Sequence, residues 1–469
     1  MCCMDTHSIL RNLRRQASEM RLLEQARGYA AEYIAGMRSM PAVPDARALR
    51  GLESLPRALP EAPTDPSRIL EMLHRYGSPA TVPYNGGRYF GFVNGGALPA
   101  ALAARWLADV WDQNAAMHVM SPVASALEAA CEEWLVSLLG LPPGTAAGFV
   151  GGTSIATLCG LAAGRDELLR RAGWDCGSRG LPGAPEIRVV IGEQAHASVY
   201  KALGLLGLGR DRVERVPVDG QGRIIPSRLP RMDGRTLLIL QAGNVNTGAF
   251  DPFASLLPAA REAGAWIHVD GAFGLWAAAS PLHQHLMEGA ELADSWSADA
   301  HKTLNAPYDN GLVFCRSREA LAAAMRAAGA YFVFSTERDG MMYAPDMSRR
   351  ARAVDLWAAL LSLGRSGVAA LVEELCSLAG LFGRRLAAEG FSIQNDVVFN
   401  QVLVTCATPD LTKATLALLQ GSGECWCGAT TWNNVPAIRI SVCSFATTEE
   451  DIERSVRAFV TAREKALRG

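Results

Sequence analysis

The sequence predicts an α/β protein: a large domain on a mostly parallel central sheet, preceded by a helical arm and closed by a smaller α+β domain. Three observations carry this. Short apolar runs alternate with helical stretches through the middle of the chain, polar clusters fall where those runs end, and after about residue 340 strands and helices no longer alternate.

From Ile9 to about Met37, apolar residues recur at helical spacing with Arg and Glu between them. This amphipathic arm is expected to pack on another subunit or domain. Pro41 to Pro66 is Pro-rich and reads as an extended or wrapping linker, giving an arm and linker over residues 1–75. Ser121 and Pro122 have the form of an N-cap and first helical position, and Leu127, Cys131, Trp134 and Leu138 then line one face until Gly140. The runs "IRVVIG" (187–192), "TLLILQAG" (236–243), "AWIHVDGAF" (265–273) and "GLVFC" (311–315) suit strands buried on both faces, so residues 76–340 form the large domain. Residues 341–469 hold a long helical stretch from Arg350 to Leu386, strand-like "VFNQVLVTC" and "AIRISVCSF", and a final helix from Glu449.

The 469 residues are 49% hydrophobic and 20% charged, with a formal net charge of −2. No basic excess points to nucleic acid or anionic lipid, so the expected partner is a small molecule. Trp134 to Gly164 lacks charge and is long enough for a membrane span, but Pro142, Pro143 and several glycines interrupt it; a buried core with a loop is expected, and no membrane. Eleven cysteines show no CxxC pair, and the N-terminus carries charge where a leader needs an apolar core. Both features suggest a cytoplasmic protein with reduced thiols.

In open α/β sheets ligands bind beyond the carboxyl ends of the strands, and four clusters are expected there. "GGTSIATLCGLAAG" puts Gly151 and Gly152 before Thr153 and Ser154 at the start of an apolar helix, where free amides suit a phosphate; a glycine turn with a Ser cap explains it equally well. Asp270 ends "WIHVD", and alone it reads as a turn cap. His196 in "EQAHASVYKA" alone reads as a structural histidine. Lys302 in "SADAHKTLNAPYDNG" is one of only four lysines, with Lys201, Lys413 and Lys465, in a chain that otherwise uses arginine. An amine can lose its proton and condense with a carbonyl, which a guanidinium cannot do. Together the four point to one face. His283 and His285 lack a third ligand, so no metal is expected. Cys425 and Cys427 read as buried or loop thiols, and His268 as a core histidine.

The chain resembles the group II pyridoxal-phosphate-dependent amino acid decarboxylases, the aromatic amino acid and glutamate decarboxylase family of fold type I, the aspartate aminotransferase-like architecture. The likeness runs from about Tyr76 to the C-terminus, carried by "FVGGTSIATLCGLAAGRD", "EQAHASVYKA", "HVDGAFG", "SADAHKTLNAPYDNG" and "SRRARAVDLWAALLSLGRSG". It implies that Lys302 is the Schiff-base lysine for pyridoxal 5'-phosphate and His301 a phosphate contact. By the same resemblance Thr153 and Ser154 hold the phosphate, His196 stacks on the ring, Asp270 pairs with the ring nitrogen, Ala272 packs beneath, and Asn244 lies near the cofactor. A carboxylate about 4 Å from that nitrogen contributes on the order of 4 kcal/mol at an effective dielectric of 20, enough to hold its proton. Phe90, Phe92, Val93 and Asn94 in "RYFGFVNGG" match the substrate side-chain pocket. The proton donor to Cα is expected on a loop from Tyr331 to Met347, reaching in from a neighbouring subunit, with Tyr343 the candidate and His196 the fallback. Thr303 departs from the family, where an aromatic often follows the lysine. The implied protein is a homodimer, its active site at the interface, that decarboxylates an L-amino acid to an amine. Aldehyde synthesis, carbon–carbon lyase chemistry, transamination and catalytically silent cofactor binding stand as alternatives.

Overall fold

The structure, a computed structural model, describes residues 6–327, 332–334 and 336–468. Seven strands form the central sheet: β1 (Ala146–Val150), β2 (Arg188–Gly192), β3 (Val213–Val216), β4 (Thr236–Gln241), β5 (Trp266–Asp270), β6 (Ser295–Asp299) and β7 (Gly311–Cys315). Their order is β1-β7-β6-β5-β4-β2-β3. The strands from β2 to β6 pair in parallel, and β7 runs antiparallel to both β1 and β6. The carboxyl ends of β1, β2, β4, β5 and β6 therefore share one edge. Every residue of β1, β5, β6 and β7 is buried, as expected for strands covered on both faces.

β1, β3 and β6 do not stand out in the sequence. β3 is an edge strand with exposed Glu214 and Arg215. In β6, "SWSAD" looks too polar for a core, yet Ser295 accepts the Trp266 indole N–H at 3.0 Å and lies 2.9 Å from His268 Nδ1, while Ser297 meets Thr157 at 3.1 Å. Partnered hydroxyls can be buried at little cost. His268 is thus a hydrogen-bonded core histidine, its pKa driven down to about 3 by burial.

A second, antiparallel sheet of order β10-β11-β9-β8 joins β8 (Ser392–Ile393), β9 (Gln401–Thr405), β10 (Gly428–Trp432) and β11 (Val435–Ser441). The helix Ala353–Ala388 crosses between the two units, and Gly364 breaks it with φ 60 and ψ −178. Its Leu356, Ala359 and Leu360 pack in the large core, its Leu378, Phe382 and Leu386 in the small one. This helix is long and apolar enough to cross a membrane by composition, and those two cores account for its apolar faces.

The N-terminal arm folds as helices Thr6–Gln16 and Arg21–Gly36. The Pro-rich stretch differs from a plain extended linker. Asp45 caps a helix over Ala46–Gly51 and Asp65 caps another over Pro66–Met72, each accepting a first-turn amide that would otherwise lack a partner.

Two close approaches bring the site together. A side-chain carbon at Gly311 would lie 2.3 Å from Gly152 Cα, and one at Gly95 would lie 2.1 Å from the Lys302 carbonyl oxygen. Both obstacles are backbone. Gly311→Ala is therefore expected to cost about 1–3 kcal/mol of stability and to push the Gly151–Gly152 turn outward. A thermal melt equal to wild type would show that this packing is slack.

Candidate active site

Lys302 follows β6 in a tight turn. Asn305, held at φ 58, fixes that turn from its side chain: Nδ2 donates to the carbonyls of Lys302, Thr303 and Cys443, and Oδ1 accepts the amides of Gly96 and Phe445. The lysine is thereby tied to both the segment before β1 and the small domain. Thr303 turns inward, its hydroxyl donating to the Phe273 carbonyl at 2.9 Å.

Lys302 Nζ lies 2.9 Å from Asp299 Oδ2. His301 Nδ1 accepts the Asn310 amide at 3.0 Å, so Nε2 carries the proton, 3.6 Å from the same carboxylate. The Tyr308 ring packs on His301 with centroids 4.3 Å apart, and its hydroxyl donates to Asn94 Oδ1 at 2.9 Å.

Asp270 ends β5, is 6% exposed, and accepts the Ala272 amide at 3.3 Å. Burial raises its pKa against the pull of His196 and Lys302, with Asp299 adding to the rise. His196 caps the helix Ala197–Leu205, its Nδ1 accepting the Ser198 amide and lying 2.7 Å from the Ser198 hydroxyl. The residue is partly open to solvent, and desolvation of its buried part lowers its pKa below the ordinary histidine value. The neutral ring then has Nε2 as its N–H donor. His196 and Asp270 line one cleft with Gly192, Gly222 and Gln241.

At the end of β1, the helix Thr153–Arg171 starts without a side-chain cap of its own from Gly152. The Thr153 hydroxyl is buried and unpartnered, while Ser154 is exposed. Asn244 closes a turn, Oδ1 accepting the amides of Asn246 and Thr247, and leaves Nδ2 buried with no partner. Such orphaned donors are rare in a finished core and mark a place for a polar ligand.

Two charged residues here were missed by the sequence reading. Asp299 sits three positions before Lys302 at the end of β6, a strand too polar to stand out in the sequence. Arg439, the one charged residue in "AIRISV", donates to the Phe92 and Val245 carbonyls while its Nε is buried and unpartnered.

One expectation needs correction. Phe90 is not a pocket residue: it is 1% exposed and meets Phe382 edge-on in the small-domain core, because its amide donates to the Trp426 carbonyl and its own carbonyl accepts the Ser441 amide. Tyr343 is expected to reach a neighbouring subunit's site, and its surroundings here are those of its own chain. Its hydroxyl accepts from Arg318 at 2.9 Å and its ring lies under Arg338 at 4.5 Å. Arg318 follows Cys315, which pairs with Ala146 and Ser295 at the far edge of the sheet. Tyr331 and Ser335 of the same predicted loop lie outside the described residues. Val93 is buried in the large core, whereas Phe92 is 60% exposed and stacks on Trp426. Cys425 and Cys427 are both buried, and among the described residues no group of three His, Cys, Asp or Glu could hold a metal ion.

Residues 50–405 match the profile of the pyridoxal-dependent decarboxylase conserved domain. The chain belongs to this family. It is 29% identical over 380 residues to the aromatic-L-amino-acid decarboxylase of Bacillus atrophaeus, covering 78% of this chain and 76% of that protein. It is 26% identical over 339 residues to the cysteine sulfinic acid decarboxylase of Mus musculus, covering 69% and 68%. In fold it is similar to the crystal structure of Oryza sativa TDC with PLP and tryptamine, at a TM-score of 0.88, 20% identity and 99% coverage of both chains.

Pyridoxal 5'-phosphate is the cofactor of this family, and the residues present fit it. The edge offers an amine at Lys302, a buried carboxylate at Asp270, the unpartnered Thr153 hydroxyl at a helix N-terminus and the unpartnered Asn244 amide. For this pyridoxal-dependent decarboxylase, Tyr343→Phe is expected to retain cofactor and lose amine production, and to cost up to about 2 kcal/mol through the lost Arg318 hydrogen bond. Unchanged amine output would remove this hydroxyl from the chemistry.

Proposed function

We propose that the chain removes the α-carboxylate of an L-amino acid as CO₂ and releases the amine, with Lys302 as the covalent anchor of pyridoxal phosphate. One observation carries the reading: Lys302, Asp270 and His196 share a single electrostatic cluster at the carboxyl ends of β6, β5 and β2. When bound, the cofactor offers an electron-accepting ring for the pair left behind as CO₂ departs. The protein's part is to orient and to hold protons.

In this reading Asp270 faces the ring nitrogen. Burial makes an isolated charge there unfavourable, so a cation close by is what keeps it ionised. Asparagine would lack the charge that retains the nitrogen's proton. His196, fixed through Nδ1 by Ser198, presents a flat neutral ring to the cleft. Thr153 and His301 are assigned to the phosphate end, with Ser154 beside them, Asn244 to the cofactor's edge and Ala272 beneath it. Phe92 and Asn94 are assigned to the substrate side, with Arg439, whose Nε lacks a partner, for a carboxylate. Tyr308 fixes Asn94 and His301 together, so that substrate wall and phosphate end share one support. The Bacillus and mouse relatives are named for aromatic and sulfinic amino acids, which supports amino acid decarboxylation as the activity.

Borohydride reduction of the cofactor-loaded protein should label Lys302, and a screen of the common L-amino acids should return CO₂ and an amine in equal amounts. A label elsewhere, or aldehyde and ammonia with the CO₂, rejects this reading.

We propose further that two copies associate. Trp106, Leu107, Val110 and Trp111 lie exposed along one face of the helix Pro99–Trp111, with Val119, Met120 and Val123 exposed nearby. An apolar surface of this kind is covered in a stable protein, and a second copy covers it by symmetry. Val110→Asp is expected to shift the sedimentation profile to the monomer; an unchanged profile places the contact elsewhere.

A further inference from the structure

The carboxylate of Asp299 stands where an anion from outside is expected to bind. Oδ1 accepts the Thr153 amide at 2.6 Å, and Oδ2 pairs with Lys302 Nζ at 2.9 Å and faces His301 Nε2 at 3.6 Å. Asp299 therefore supplies the acceptor that the uncapped helix Thr153–Arg171 lacks. It is 2% exposed. Burial, the largest influence, pushes its pKa up, yet Lys302, His301 and Thr153 together hold it below the ordinary carboxylate value. The residue is an anion in its present setting.

Beside it the Thr153 hydroxyl is buried with no partner. The amide of this cradle is thus taken by Asp299. Space is limited too, since a side-chain carbon at Gly152 would sit 3.3 Å from His301 Cε1 and 3.5 Å from Asp299 Oδ1. A phosphate drawn to this helix start meets a resident carboxylate, and two buried anions at one place oppose each other.

We propose that Asp299 is an internal stand-in for the cofactor's phosphate. In the cofactor-free protein it caps the helix and neutralises Lys302, and phosphate binds only by taking over the Thr153 amide. Asp299 is then a positioning residue that stabilises the empty site and weakens the filled one. This rests on the pyridoxal phosphate reading of the site. Its signature is opposite signs for stability and affinity, which a scaffold residue would not give.

Asp299→Asn keeps the size and one acceptor oxygen but removes the charge. Freed of cofactor, the full-length variant is expected to melt a few degrees below wild type. Equilibrium dialysis of the same material is expected to give a Kd for inorganic phosphate at least tenfold lower, with a parallel gain for pyridoxal 5'-phosphate. Pyridoxal, which lacks the phosphate, should change less than threefold. Weaker or unchanged phosphate binding overturns the proposal, as does an equal gain for pyridoxal. Should the variant not fold, the wild-type crystal structure with inorganic phosphate decides: phosphate on the Thr153 amide with Asp299 moved off supports the stand-in, and an intact Asp299–Thr153 hydrogen bond overturns it. Wild-type protein that takes up no pyridoxal phosphate at Lys302 fails the parent reading instead.

Discussion

The amine of Lys302, 2.9 Å from the buried carboxylate of Asp299, sets the terms for the rest of this structure. In a low dielectric neither charge is tolerable alone, and removing one partner of such a pair costs about 3–5 kcal/mol. The surroundings follow from that. Asn305 holds the lysine turn with five hydrogen bonds to three separate stretches of backbone, the Thr153 amide holds the acid, and the tautomer of His301 is fixed so that its N–H faces the same acid. Asp270 and His196 complete the balance. Burial alone would neutralise both, and their mutual attraction, with Lys302 alongside, opposes that for the acid.

The sheet makes this density of charge possible. Parallel strands deliver Val150, Gly192, Gln241, Asp270 and Asp299 to one edge, and the single antiparallel strand β7 begins at that edge. Its first residue, Gly311, pairs with both Val150 and Asp299. Any side chain there would enter the backbone of Gly152 and displace the phosphate end of the site. Steric emptiness at Gly311 and charge at Asp299 are thus two conditions for the same cradle.

The sequence made the central strands legible where burial on both faces demanded apolar residues, as in β2, β4, β5 and β7. It hid β6, because hydroxyls that find partners in the fold look like surface residues in one dimension. For the site, Lys302 was legible through the scarcity of lysine, and Asp270 through its place after an apolar run. Asp299 was not, since "SADAHK" does not read as a strand followed by a turn. Phe90 failed for a geometric reason. Neighbours in sequence were assumed to share a destination, but an extended segment sends alternate side chains to opposite sides. Phe90 therefore enters the small core while Phe92 faces outward. Tyr343 is fixed by cations at the opposite edge of the sheet, a long-range pairing with no local signature.

The segment 88–96 also divides labour between the two domains. Reactive groups stand on the edge of the large sheet, whereas Phe92 takes its orientation from the small domain: its φ of 59 is unfavourable for any side chain but glycine. Ser441 and Arg439 hold its carbonyl and Trp426 stacks on its ring, so the small domain maintains the strain. Asn305 binds that same domain through Cys443 and Phe445 while gripping the carbonyl of Lys302. A shift of the small domain would then move the substrate-side wall and the lysine together. Substituting residues on that wall can alter what is admitted without touching Asp299, Asp270 or His196, because no hydrogen bond or ion pair among the described residues joins Phe92 or Trp426 to those three.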